Sequence, residues 1–248
     1  MKILAIETAS EACSAALLIS DDSLDQKIVE QIELAPRQHA KKILSMLDKV
    51  LAEAKLELKD VDAIAFGRGP GAFTGLRIAA GVAQGIALSV DKPVVPVSTL
   101  AALALRAIGE MKAKGKEYQS EIIATALDAR MGEVYWGLFK YSEGKIESLI
   151  KEQVSKPEEM LESLQKTTKE LGDNPVISIG AGWDAYEEEL FQENNPKNIT
   201  HLKNLAPMAS EIAKLAKILF QKGKIVTPED AQPIYIRNNV AKKSQKQP

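Results

Sequence analysis

Apolar positions at the start of the chain change their spacing from two residues to three or four, which predicts strands followed by a helix. Short β-branched runs predict strands over residues 3–8, 14–20 and 27–34, with the first two joined as a hairpin. Over residues 37–54, which begin just after Pro36, the apolar positions form one stripe of a helix. The third strand places four residues on one face: Ile28, Glu30, Ile32 and Leu34.

A second group of elements follows in the order strand, glycine-rich loop, helix. A buried strand is predicted over 61–66 and a helix over 74–90, with a loop that begins GRGPG at 67–71 between them. A further strand and helix are predicted over 94–97 and 99–108. Strand, loop and helix in this order are typical of phosphate-binding units.

The second half of the chain repeats the opening pattern. Strands are predicted over 122–127, 132–141 and 146–154, a helix begins at Pro157, and one more strand covers 176–180. Because each half opens with three strands in a meander and continues with a crossover helix, we predict two lobes with the same architecture.

A last helix, predicted over 207–222, begins at a proline and stops before Gly223. We therefore expect an N-terminal lobe over 1–110, a C-terminal lobe over 111–223 and a C-terminal tail over 224–248. The last helix is a candidate to pack on the N-terminal lobe.

Composition and charge narrow the functional classes. The 248 residues include 32 basic and 34 acidic side chains, a formal net charge of −2, which argues against extensive direct binding of nucleic acid. Cys13 is the only cysteine, which excludes an intrachain disulfide and favours a reducing, cytoplasmic setting. The apolar run at the N-terminus reaches Glu7 at once and the run over 78–90 is short, so neither a signal peptide nor a membrane span is expected.

The glycine-rich segment is the main candidate for binding chemistry. It lacks the Gly-Lys-Ser/Thr of a Walker loop, and its formal match to a dinucleotide fingerprint fails because Asp91 starts the next strand instead of ending it. Two interpretations remain, an anion site at the helix N-terminus and a tight turn without ligand. The candidate loop residues are Gly67, Arg68, Gly69, Pro70, Gly71, Phe73, Thr74, Gly75 and Arg77.

The helix predicted over 74–90 has small residues on nearly every side, among them Gly75, Ala79, Gly81 and Gly85. Small residues allow another backbone to approach closely. Packing on the chain's own sheet accounts for some of them, and a helix of a partner is the second use.

Catalytic groups are few. His39 and His201 are the only histidines, and neither HExxH nor HxxxH spacing occurs, so no helix-borne metal pair is expected. Glu7 and Asp128 each end the first predicted strand of a lobe, where kinase-like folds carry catalytic carboxylates, but no partner carboxylate follows either of them. Cap or turn roles are favoured. We predict no catalytic residue, no metal and no cofactor of the chain's own.

Three segments together resemble one family. Residues 6–9 (IETA), 69–78 (GPGAFTGLRI) and 233–237 (PIYIR) are similar to motifs of the bacterial TsaB (YeaZ) family, within the actin-like ATPase superfamily. The resemblance spans nearly the whole chain and implies an α/β, two-lobed actin-like (ASKHA) fold, in which each lobe is a mixed sheet flanked by helices. Ala72 departs from the family pattern, because many relatives have a serine there.

The resemblance also implies a function. Members of this family are needed, with TsaD and TsaE, to attach a threonylcarbamoyl group to N6 of adenosine 37 in tRNAs that read codons beginning with adenine. TsaD is the catalytic, metal-holding subunit and TsaE an ATPase, so this chain is expected to be a non-catalytic scaffold. The alternatives are a small-molecule kinase of the superfamily and a glycoprotease-like peptidase.

The family resemblance implies partners and an interface as well. It implies a heterodimer with TsaD, a homodimer when the chain is alone, contact with tRNA only through the complex, and nucleotide only at the interface of that complex. The helices predicted over 37–54 and 74–90 would form the pairing surface. The expected interface residues are His39, Ile43, Met46, Leu47, Ile78, Gly81 and Gly85.

Overall fold

The computed structural model describes residues 1–20, 26–116, 120–172, 174–191 and 198–237. In the first half of the chain the strands form one five-stranded sheet with the order β3-β2-β1-β4-β5. These strands are β1 (Lys2–Glu7), β2 (Ala12–Ser20), β3 (Gln26–Leu34), β4 (Ala63–Gly69) and β5 (Val94–Ser98). The helices of this half are α1 (His39–Ala54), α2 (Phe73–Ser89) and α3 (Thr99–Ala113).

The second half of the chain builds a sheet of its own with the order β11-β10-β6-β7-β8, and β9 also pairs with β7. Its strands are β6 (Ser120–Arg130), β7 (Glu133–Ser142), β8 (Lys145–Ser148), β9 (Gln153–Ser155), β10 (Val176–Ile179) and β11 (Ile199–Leu202). The helices are α4 (Pro157–Glu170), α5 (Ala181–Ala185), α6 (Glu187–Phe191) and α7 (Ala209–Gln221).

The two sheets have the same topology. In each, the first strand is central and pairs on one side with its antiparallel hairpin partner and on the other with a parallel strand that follows a crossover helix. The predicted echo between the halves is confirmed, and with it the α/β, two-lobed actin-like fold. Among the described helices, none is both long and apolar enough to cross a bilayer.

The first sheet is covered on both faces. On one face α1 and α2 pack against residues such as Leu4, Leu17 and Phe66. On the other face α7 returns from the end of the chain and buries Ile212 and Ala216 against the sheet. Helix α3 lies between the lobes, because Ala102 belongs to the core of the first sheet while Leu103 and Ala107 belong to the core of the second.

The C-terminal residues after α7 run back over the first lobe. We call residues 224–237 the C-terminal strap. Val226 forms a β-bridge with Val94, and Ala231 is buried in the core under α1 and α2. Residues 238–248 of the predicted tail lie outside the described residues.

Sequence patterning was wrong at several short elements. The single strand predicted over 146–154 is two strands, β8 and β9, because the chain turns where Ser148 Oγ donates to the carbonyl of Ile150. The elements α5, α6 and β11 are too short to give a periodic signal and were not predicted.

On β3 the side chains of Ile32 and Leu34 are exposed, since α7 covers this face of the sheet only as far as Glu30.

Candidate functional site

The Gly-rich loop, residues 67–77, lies directly on the turn between β1 and β2. A Cβ on Gly75 would stand 1.9 Å from the Thr8 carbonyl oxygen, and one on Gly71 would stand 2.7 Å from the Ala9 Cβ. The Ala72 amide donates to the Ala9 carbonyl at 2.8 Å, and Thr8 Oγ1 donates to the Gly75 carbonyl at 2.8 Å. These glycines therefore serve a backbone-to-backbone contact that a side chain would prevent.

Glu7 is sealed beneath this contact. Its side chain is fully buried, its Oε1 accepts from the Ala9 amide at 2.5 Å, and its Oε2 accepts from Thr99 Oγ1 at 3.3 Å. A Cβ on Gly67 would stand 1.9 Å from Oε2, so this glycine makes room for the carboxyl group. Burial raises the pKa of Glu7 to about 7, against the lowering effect of its hydrogen bonds. A carboxyl group enclosed in this way cannot contact a substrate.

The loop is not an open cradle for an anion. The amide of Gly69 donates to Thr99 Oγ1 at 3.2 Å, and the amide of Ala72 donates to Ala9, so two donors of the loop are already used within the protein. Arg68 points towards the second lobe, where its Nη2 lies 4.0 Å from a carboxylate oxygen of Glu152. Of the two interpretations of the loop, this geometry favours the tight turn.

A cleft of about 410 Å³ opens on the other side of the loop, towards the second lobe. We call it the lobe-junction cleft. Its walls are the Gly-rich loop, the β6–β7 turn at Arg130 and Met131, and strap residues 234–237. The strap is held there because the Ile234 amide donates to the Arg68 carbonyl at 2.8 Å.

An aromatic and arginine cluster forms one side of the lobe-junction cleft. The guanidinium carbon of Arg77 lies 3.8 Å from the centroid of the Phe73 ring, and Arg77 Nε donates to the Tyr235 hydroxyl at 3.2 Å. The rings of Phe73 and Tyr235 are 5.2 Å apart at their centroids. Phe73 and Tyr235 are 47% and 45% exposed, so the cluster presents flat surfaces to solvent.

The strap ends on the second lobe. Arg237 forms an ion pair with Glu133, donates to the Arg130 carbonyl at 3.4 Å and places its guanidinium 5.9 Å from the centroid of Tyr135. Periodicity gave no signal for this role, because the strap is neither helix nor strand. Only the family resemblance singled out residues 233–237.

The predicted interface residues divide into two groups. On α2, Gly81 and Gly85 are exposed, and a Cβ built on either meets nothing within 4 Å, whereas Ile78 is partly buried against the core. On α1 the prediction needs correction, since the side chains proposed for a partner are covered by the chain itself. His39, Ile43, Met46 and Leu47 are all buried.

The expected residues of α1 are buried because the apolar stripe of this helix packs on the chain's own sheet and not on a partner. A stripe on an amphipathic helix shows which face is covered, but not by what. Here it packs on the first sheet, and the outer face of α1 instead carries Leu44, which is 55% exposed.

Comparison with known proteins gives consistent matches over the whole chain. A family model described as TsaD: tRNA N6-adenosine threonylcarbamoyltransferase matches residues 23–245. The chain is 39% identical over 242 residues to tRNA threonylcarbamoyladenosine biosynthesis protein TsaB of Escherichia coli (strain K12), covering 97% of this chain and 96% of that protein. The Haemophilus influenzae protein of the same name is 38% identical over 97% of this chain and 95% of its own length. The chain belongs to the TsaB family.

Solved structures agree with this membership. The structure described as YeaZ from Pseudomonas aeruginosa superposes with a TM-score of 0.76 at 37% identity, covering 94% of this chain and 99% of that one. A second structure, of an uncharacterized protein with similarity to peptidase YEAZ from Pseudomonas aeruginosa, has a TM-score of 0.79 at 37% identity over 95% and 99% of the two chains.

One polar trio of this TsaB-family chain has the residue types of a serine-peptidase triad, namely Ser178, His201 and Asp184. His201 Nδ1 lies 3.0 Å from Ser178 Oγ, and its Nε2 lies 3.0 Å from an oxygen of Asp184. Ser178 is fully buried, and the ring nitrogens face the serine and the carboxylate in the opposite sense to a serine-protease triad. The trio joins β10, β11 and α5 within the second lobe and is not placed to attack a peptide.

Proposed function

We propose that this TsaB-family chain acts in tRNA threonylcarbamoyladenosine biosynthesis as a non-catalytic subunit that binds a TsaD-type subunit. The interface in this proposal is the exposed face of α1 and α2, which we call the helix-pair face. Its members are Leu44, Gly81, Gly85 and Leu88, which are all exposed. The observation that carries the proposal is the open space above Gly81 and Gly85.

The helix-pair face has the character of a surface that a partner covers. Leu44 and Leu88 are 55% and 66% exposed, so burying them against another protein would stabilise a complex through the hydrophobic effect. Glycines four residues apart lower the surface of α2 between them, so a partner helix can approach the backbone closely. The same face would serve a homodimer when the catalytic subunit is absent.

The carboxylates at the strand ends support a non-catalytic role. Glu7 is enclosed by the Gly-rich loop, and Asp128 Oδ1 accepts from the Arg130 amide at 2.8 Å, a turn role. In the described part of the chain no three His, Cys, Asp or Glu residues are grouped so as to hold a metal. This geometry disfavours a kinase, since neither carboxylate meets a partner that could share magnesium.

The remaining parts of the proposal follow from the family. We propose that a TsaE-type ATPase completes a cytoplasmic complex, that any nucleotide binds at the interface between subunits, and that the catalytic subunit performs the transfer to adenosine 37. This chain needs no cofactor of its own in that scheme.

Reconstitution tests the proposal. With ATP and an activated threonylcarbamoyl donor supplied, we expect modified adenosine, measured by mass spectrometry of digested tRNA transcript, only when this chain, a TsaD-type subunit and a TsaE-type subunit are combined. Asp128→Asn keeps an acceptor oxygen for the turn and should support the same rate. Modification by this chain alone, loss of modification with Asp128→Asn, or full modification without this chain would contradict the proposal.

A further inference from the structure

The lobe-junction cleft points to a contact with the RNA. We propose that this cleft binds an unpaired nucleotide of the tRNA substrate, with its base against the cluster of Phe73, Arg77 and Tyr235. The inference rests on the proposed function for the identity of the RNA, and it adds a direct contact where the sequence predicted contact only through the complex.

Two aromatic rings and a guanidinium group, which are the surfaces on which nucleic-acid bases stack, meet at the mouth of the cleft. Unpaired bases are recognised by stacking on aromatic rings and on guanidinium planes. Phe73 and Tyr235 supply two half-exposed rings, and Arg77 joins them through its stack on Phe73 and its hydrogen bond to the Tyr235 hydroxyl. The cluster is thus held in one geometry before a ligand arrives, which lowers the entropy lost on binding.

The charge of the cleft complements a phosphate backbone. Of the described residues that line it, Arg130 and Arg237 are basic and none is acidic; because Arg237 is ion-paired with Glu133, the excess positive charge rests on Arg130. This contrasts with the whole chain, which carries a formal net charge of −2. Because charges near a phosphate act on it more strongly than distant, screened ones, this local excess matters more than the net charge of the chain.

The β6–β7 turn breaks a local rule in order to present Arg130 and Met131. Both residues have positive φ, 63° and 60°, and Gly132 follows with φ 75°. Hairpin turns of this kind favour Asn and Gly, and larger side chains in left-handed conformations are destabilising. The register between β6 and β7 shifts between Asp128 and Arg130, directly before this turn. Positive φ occurs at other turns of the chain as well, so it supports the proposal only together with the cleft that these two residues line.

The size of the cleft favours a nucleotide over a partner helix. Its volume of about 410 Å³ lies in the range of pockets that take a single small group. A docked helix instead needs an extended groove with repeated apolar anchors. The helix-pair face has that extended form, whereas the cleft is short and mixes rings with guanidinium groups.

The test uses a double variant that should lower the affinity for tRNA without lowering the stability of the fold. In the double variant Arg130→Asn with Met131→Gly the turn gains favoured residues, so Tm should be equal or higher. The affinity of the complex with the TsaD-type subunit for an unmodified tRNA transcript should fall about 5- to 100-fold, measured by fluorescence anisotropy. The slope of log affinity against log salt should become shallower by about 0.7–0.9.

A second variant and a matched control complete the design. Phe73→Leu keeps an exposed apolar side chain but removes the ring, and it should lower the affinity for tRNA severalfold in the same anisotropy measurement and raise the KM for tRNA with kcat unchanged. Lys55→Asn is the control, because Lys55 is also an exposed basic residue with positive φ, 57°, and it lies before β4 begins while the cleft lies where β4 ends. The control should leave tRNA affinity unchanged.

The tRNA affinities of the variants decide whether the cleft is an RNA site. Unchanged tRNA affinity in the double variant and in Phe73→Leu would overturn the inference, and so would a loss of affinity for the TsaD-type subunit at unchanged tRNA affinity, which would make the cleft a protein interface. If reconstitution yields no modification while the variants still weaken tRNA binding and the control does not, the proposed function fails and the RNA site stands.

Discussion

The first strand of each lobe ends on a carboxylate, yet the two carboxylates have opposite environments. Glu7, at the end of β1, is fully buried beneath the Gly-rich loop. Asp128, near the end of β6, is exposed and accepts a hydrogen bond within its own turn. The two lobes have the same sheet topology, so the difference arises from what covers each turn and not from the fold.

The same sheet topology thus supports two different turns, one closed by packing and one open to solvent. In the first lobe the glycines of residues 67–75 bring one backbone onto another and close the turn, which favours stability. In the second lobe the corresponding turn stays open and presents Arg130 and Met131 to a cleft. Covering the β1–β2 turn therefore removes the Glu7 carboxyl group from the surface. The β6–β7 turn of the same fold remains exposed and lines the lobe-junction cleft.

The largest expected effect comes from breaking the seal in the first lobe. Gly75→Ala places a Cβ 1.9 Å from the Thr8 carbonyl oxygen, so the loop or the turn must move. We expect the free energy of unfolding to fall by about 3–4 kcal/mol, measured by urea titration. Gly81→Ala in the same helix is the control, since it meets open space and should stabilise by about 0.5–1 kcal/mol. Equal effects of both changes would refute the account of the seal.

The next effect depends on pH. Burial raises the pKa of the Glu7 carboxyl from its ordinary value of 4.5 to about 7, so the folded state holds a proton that the unfolded chain releases. Its contribution to stability is present below 4.5 and is lost as pH rises through 7. We expect wild type to lose about 3 kcal/mol relative to Glu7→Gln between pH 4.5 and about pH 8. Parallel stability profiles of the two proteins would contradict the burial of this group.

The matching substitution in the second lobe should do little. Asp128→Asn retains an oxygen that can accept from the Arg130 amide, and the side chain is exposed. The free energy of unfolding should change by less than about 0.5 kcal/mol at either pH. A pH-dependent change as large as that expected for Glu7→Gln would erase the contrast between the lobes.

The architecture was predictable from sequence because it depends on repeated local signals. Strand alternation, the stripe over 37–54 and helix starts at Pro157 and near Pro207 each report a period or a backbone preference that the residues carry themselves. The repeat of the opening pattern then led to two lobes of one topology.

The site was less predictable because it depends on contacts between distant residues. Glycine spacing could not distinguish an anion site from a tight turn that encloses Glu7, since only the folded chain shows that a Cβ on Gly67 would stand 1.9 Å from Glu7 Oε2. The stripe of α1 could not show that Ile43 and Leu47 face the chain's own sheet. The contact of Tyr235 with Phe73 joins residues from distant parts of the chain, which leaves no local pattern.

The central claim is that the helix-pair face binds the catalytic subunit, and the affinity of Gly85→Leu for a TsaD-type subunit tests it most directly. Gly85 is exposed and the Cβ of the added side chain meets nothing within 4 Å, so thermal melting should show an intact or more stable fold. Gly109→Leu is the matched control, because Gly109 is also an exposed glycine inside a helix with nothing within 4 Å of its Cβ position. By isothermal titration calorimetry we expect Gly85→Leu to weaken binding about 5- to 100-fold and Gly109→Leu to leave it unchanged. A folded Gly85→Leu protein that binds with wild-type affinity would contradict the claim.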